Sequence, residues 1–150
     1  MQTIATELQD IISKYVPALQ AVTEDKMSYK PLPYKWSKKE ILGHLVDSAQ
    51  NNIRRFIVAQ YEDKPAIVYN QDKWVAISHY QHYPTADIIA LWQLLNKHIA
   101  VILKNISLDA SARECQTGDL HTIRWLAEDY MKHLRHHVHQ ILELEPVAYP

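Results

Sequence analysis

The chain predicts an all-α fold, a four-helix bundle, on three observations. It holds only two glycines, Gly43 and Gly118, in 150 residues, whereas an all-β chain of this length needs many more for its turns. Apolar residues recur at the 3.6-residue helical period in four long segments, about Thr3 to Leu19, Ser37 to Gln60, Thr85 to Asn105 and His121 to Leu144. Prolines punctuate the breaks: Pro17 near the end of the first helix, Pro31 and Pro33 in a loop, Pro65 after the second helix, Pro84 before the third and Pro146 after the fourth. One domain over 1–150 is expected, because a chain of this size buries roughly two thirds of its unfolded surface around a single core.

Each helix has its own justification. The second opens with Ser37 and, three residues on, Glu40, the pairing of a capping box. At about 100° per residue its apolar stripe comprises Leu42, Leu45, Val46, Ala49, Ile53, Phe56 and Ile57, with His44, Ser48, Asn51 and Arg55 as a polar row along the edge. The fourth helix places Ile123, Leu126, Ala127, Tyr130, Leu134, Val138 and Ile141 inward, with His133 and His137 at the margin and His136 and His139 pointing elsewhere. The connections Tyr61 to Pro84 and Ile106 to Leu120 are rich in Asp, Tyr, Ser and Thr, and loops of such length often carry function.

Composition removes several function classes. Apolar residues make up 47% and charged residues 22% of the chain, as in a soluble globular protein. Sixteen basic against 17 acidic residues give a net charge of -1, so no basic footprint for nucleic acid or an anionic membrane exists. The stretch IIALWQLLNKHIAVIL is interrupted by Gln93, Asn96, Lys97 and His98, short of the ~20 apolar residues that span a bilayer. A single cysteine, Cys115, and an N-terminus without a signal pattern fit a cytoplasmic protein.

His133 and His137 lie one helical turn apart, the spacing at which two imidazoles on one face ligate the same ion. An HxxxH pair in a chain with nine histidines is weak evidence by itself. His44 supplies the third ligand if the second and fourth helices are neighbours in the bundle. Three imidazoles leave an ion such as zinc an open position for water or substrate, whereas structural zinc is usually closed by four ligands. Asp47 and Asp129 are at helical spacing to accept the other ring N–H of His44 or His133; for Asp47 a solvated surface position is the better reading, and for Asp129 both readings stand.

The segments WSKKEILGHLVDS and DYMKHLRHHVHQI, together with NNIRRFIVAQ, YNQDKW and the LW of the third helix, resemble the DinB-like superfamily over nearly the whole chain. That resemblance implies a four-helix bundle of the DinB/YfiT-like type, with a divalent metal, zinc or nickel, held by three histidines that match His44, His133 and His137. It also implies either a metal-dependent hydrolase or a thiol S-transferase that uses a low-molecular-weight thiol such as bacillithiol or mycothiol, and a homodimer. Under the thiol reading Asn51 and Arg55 grip the carboxylates of an anionic cofactor, since Arg offers a planar fork for that geometry. No catalytic residue is assigned. A small-molecule substrate is expected. The rival from another class is a non-catalytic stress-response or ligand-binding module in which the histidines hold a structural metal or merely pack.

The remaining candidates have plain readings. Cys115 is a structural thiol in a loop. Trp74, Tyr69, Tyr80 and Tyr83 line a pocket mouth or simply cover the bundle. His79, His82 and His98 are surface histidines, and His121 is the reserve ligand. Trp125 points off the buried stripe and Trp92 is taken to do the same, so an aromatic patch would support a dimer.

Overall fold

The computed structural model describes residues 1–149. Four long helices dominate: α1 (Gln2–Gln20), α3 (Lys38–Val58), α5 (Thr85–Asn105) and α7 (Ile123–Leu142). Between them lie the short helices α2 (Glu24–Ser28), α4 (Gln71–Ser78) and α6 (Leu108–Ser111), a 3₁₀ turn at Tyr80–His82, and a hairpin of β1 (Glu114–Gln116) and β2 (Leu120–Thr122). The long helices follow the sequence pattern because each has a stripe to bury and a residue to start it. Ser37 accepts from the Glu40 amide while Glu40 reaches back to the Ser37 amide, completing the capping box of α3. Thr122 accepts from the Trp125 amide, so α7 begins at Ile123 and His121 falls in β2 instead of in the helix.

In the bundle α1 packs on α5 and α7, and α3 packs on the same two helices. The order around the bundle is therefore α1, α5, α3, α7, which makes α3 and α7 neighbours, as a three-histidine site spanning them requires. The core fills as the periodicity predicts: Leu42, Leu45, Val46, Ala49 and Phe56 of α3 meet Ile123, Leu126, Ala127, Tyr130, Leu134, Val138 and Ile141 of α7, all buried. Two residues of the expected α3 stripe differ: Ile53 is half-buried and Ile57 is exposed, since they lie where the stripe drifts off its neighbours. Trp92 is also corrected, because it is fully buried in α5 and contributes nothing to an outer aromatic patch. α5 is long and apolar enough by composition to cross a membrane, with mean hydropathy 1.4, but here Ile88, Ile89, Trp92, Ile99 and Leu103 pack it into the bundle.

The two long connections are ordered. Asn70 caps α4 by accepting from the Lys73 amide at 2.9 Å, and the helix ends at His79 in the left-handed region at φ 55°. Cys115 lies in β1, fully buried, and its thiol donates to the Pro65 carbonyl at 3.2 Å, which is a structural position. The Ile67 amide donates to Gln116 and the Gln116 amide to Pro65, so the hairpin holds the chain after α3 in place.

Candidate metal centre

His44 stands on α3 directly across from His133 and His137 on α7. His44 Nε2 lies 2.9 Å from His133 Nε2, and one ligand nitrogen from each of the three rings falls within 4.8 Å of the others. The rings meet edge to face, with centroids 4.6 to 5.0 Å apart. His44 is buried and Trp36 packs against its ring at 5.2 Å, which fixes its orientation.

The far ring nitrogens show how this donor set is presented. His137 Nδ1 faces Gln140 Oε1 at 3.0 Å, and His133 Nδ1 faces Ser48 Oγ at 3.5 Å, the outer limit of a hydrogen bond. A proton on each Nδ1 leaves the Nε2 lone pair aimed at the shared point. Burial pulls the His44 pKa down to about 4, with His137 as the second cause. Burial and then the neighbouring imidazoles pull His133 down to about 2, and burial lowers His137 as well. Three neutral imidazoles with no cysteine or carboxylate among them fit a borderline divalent ion such as zinc or nickel, and three protein ligands leave its coordination open.

Neither carboxylate weighed as a partner for the histidines contacts one. Asp47, read as a surface acid, is 1% exposed; Tyr80 covers it and donates to its Oδ1 at 2.5 Å. Asp129 is half-buried and accepts from Tyr149 at 3.0 Å instead of from a histidine. Gln140 contacts His137 and Ser48 contacts His133, and the helical spacing of Gln140 from His137 was a signal available in the sequence.

The triad opens into a cavity of about 630 Å³ whose walls include Asn52, Arg55, Tyr69, Trp125, Asp129 and Tyr149. Arg55 is among the lining residues. Its Nε and Nη2 donate to the Ile67 carbonyl at 3.2 and 3.1 Å, and its guanidinium lies over the Tyr69 ring. Burial lowers its pKa, yet a guanidinium stays charged, and among the described residues it forms no ion pair. Asn51 does not line the cavity: it is buried and donates to the Asp47 carbonyl at 2.9 Å, while the adjacent Asn52 faces the site. Tyr69 stacks edge-on with Trp74 at the cavity rim, whereas Tyr80 is buried beneath α3. His121 stacks on Trp125 at 3.7 Å on the cavity wall and stands outside the cluster.

A bundle whose facing helices bring three imidazoles to one point, open to a cavity, defines a helical-bundle protein with a site compatible with a divalent metal. The chain belongs to the DinB superfamily, whose family model matches residues 7–141. It is similar to the Bacillus subtilis protein named "Putative metal-dependent hydrolase YfiT", 24% identical over 144 residues that cover 91% of this chain and 79% of that protein. A Bacillus cereus protein carrying the same description is 23% identical over 150 residues, covering 96% of this chain and 84% of its own length. The solved structure of Bacillus subtilis YfiT, described as having an unusual four-helix bundle topology, superposes with a TM-score of 0.83 over 94% of this chain and 83% of that one, at 22% identity.

Proposed function

We propose that the protein is a metal-dependent enzyme that acts on a small molecule at a single ion held by His44, His133 and His137. The observation that carries this reading is the convergence of three imidazoles at one end of an open cavity, with no carboxylate joining the cluster among the described residues. A closed structural site would need a fourth protein ligand. A divalent ion bound there supplies one chemistry, lowering the pKa of a bound water or thiol to yield a nucleophile at neutral pH. The protein's own groups do the rest. Gln140 and Ser48 hold His137 and His133 in the ligating tautomer. Arg55 offers an unpaired guanidinium to an anionic group of the substrate.

Hydrolysis is the leading reaction, supported by the description that the similar Bacillus proteins carry. Thiol transfer is the second reading, favoured by Arg55, whose charge on the cavity wall suits the carboxylates of a low-molecular-weight thiol. The test begins with metal content. Protein purified without an affinity tag should carry about one equivalent of zinc or nickel, and His133→Ala should lose it; full retention by the variant refutes the site. Metal-loaded protein is then assayed on esters and amides and, separately, on electrophiles with bacillithiol or glutathione. Absence of all turnover would favour a non-catalytic module.

A further inference from the structure

The histidine-rich run of α7 has two members in the triad and two outside it. His136 and His139 are occupied by the segment that follows the helix. Glu143 adopts a left-handed conformation at φ 56°, and the Leu144 amide closes back on the His139 carbonyl, which reverses the chain. His139 Nδ1 then donates to the Glu145 carbonyl at 2.7 Å, its Nε2 accepting from Tyr15. His136 Nδ1 donates to the Val147 carbonyl at 2.7 Å. The strap ends with Tyr149 donating to Asp129 Oδ2 at 3.0 Å. Four extended residues span roughly 13 Å and ten helical residues about 15 Å, so residues 145–149 must run nearly extended to reach from His139 to Asp129.

This path lays the Tyr149 ring 5.2 Å from the His133 ring and places Tyr149 on the cavity wall, with Asp129 beside it. Its hydroxyl proton is committed to the carboxylate, which leaves the phenol oxygen with lone pairs and no proton to give. Arg55, which also lines the cavity, donates only. The cavity therefore offers a donor at Arg55 and an acceptor at Tyr149.

We propose that the strap 143–149 is part of the site and that Tyr149 is a specificity-determining residue, accepting a hydrogen bond from an N–H or O–H donor on the small molecule held at the three-histidine centre. The assignment rests on the metal reading above and adds a substrate class to it: molecules with a protic group next to the atom that faces the ion. The histidines that match no ligand position hold the strap in register.

Two matched probes test it on the cobalt(II)-loaded protein, read by visible absorption. Acetohydroxamate carries N–H and O–H donors, and acetate carries neither. Tyr149→Phe keeps the ring and removes the hydroxyl; it should leave cobalt content unchanged, weaken acetohydroxamate about fivefold and leave acetate affinity the same, as expected for one hydrogen bond. Equal effects on both probes, or none on either, overturn the role of Tyr149 while the metal centre stands. Failure of the wild-type chain to take up cobalt overturns the metal reading and this assignment with it.

Discussion

Gly43 shows how much one residue settles. A Cβ at this position would overlap the Tyr80 ring, so glycine lets the 3₁₀ turn seat against α3. One helical turn on, Asp47 accepts from the same tyrosine. Gly43→Ala is therefore expected to destabilise by about 1–3 kcal/mol through overpacking, seen as a lower urea midpoint at unchanged slope. Asp47 itself is held under strain of another kind. Burial raises its pKa to about 6, partly offset by the Tyr80 hydroxyl, and its Oδ2 has no partner. A raised folded pKa means its contribution is complete below the unfolded value and lost as pH rises through 6. Asp47→Asn, which keeps an acceptor for Tyr80, should thus compare more favourably with wild type at pH 8 than at pH 5; the same effect at both would show that the charge is not penalised.

Helix ends carry the next level of organisation. Ser37 caps α3, and its hydroxyl also donates to Gln81 Oε1 at 2.7 Å, so the cap ties the helix start to the turn that bears Tyr80. Ser37→Ala should cost about 1 kcal/mol or somewhat more in urea denaturation, whereas Ser37→Asp should recover most of the cap. The capping box, the spans of α1, α3, α5 and α7, and the His133–His137 spacing were all legible, because each rests on contacts within four residues along the chain. The strap, the hairpin and α4 were not. They are short, with too few residues for a periodic signal, and their positions come from partners elsewhere in the fold.

For the whole molecule, the imidazoles of His44 and His133 govern acid stability. His44 and His133 have folded pKa values below the ordinary imidazole value of 6.5, at about 4 and about 2. The unfolded chain thus binds more protons between pH 6.5 and 4, and stability falls as the medium is acidified. Asp47 pulls in the opposite direction between 6 and its unfolded value of 3.8, but it is one group against two. Metal-free protein should therefore lose stability from pH 7 to pH 5, on the order of 1.4 kcal/mol per pH unit for the uncompensated histidine. Zinc at 100 times its dissociation constant should raise stability at pH 7 by about 2.7 kcal/mol, an increment that acid or a chelator removes. Thermal melts with and without zinc across this range check both slopes.

Helix identity, the amphipathic faces and the His133–His137 pair follow from local order along the chain, since the period, the caps and the one-turn histidine spacing are properties of neighbouring residues. What needed the folded chain was which faces meet. His44 and His133 are 89 residues apart, Asp47 and Tyr80 are 33 apart, and Asp129 and Tyr149 are 20 apart. Burial of Asp47, the contact of Ser48 with His133, and the placing of Tyr149 on the cavity wall beside His133 all depend on such contacts. Long-range packing sets the environment of a polar side chain, and that environment decides whether it is solvated, paired or turned toward a ligand.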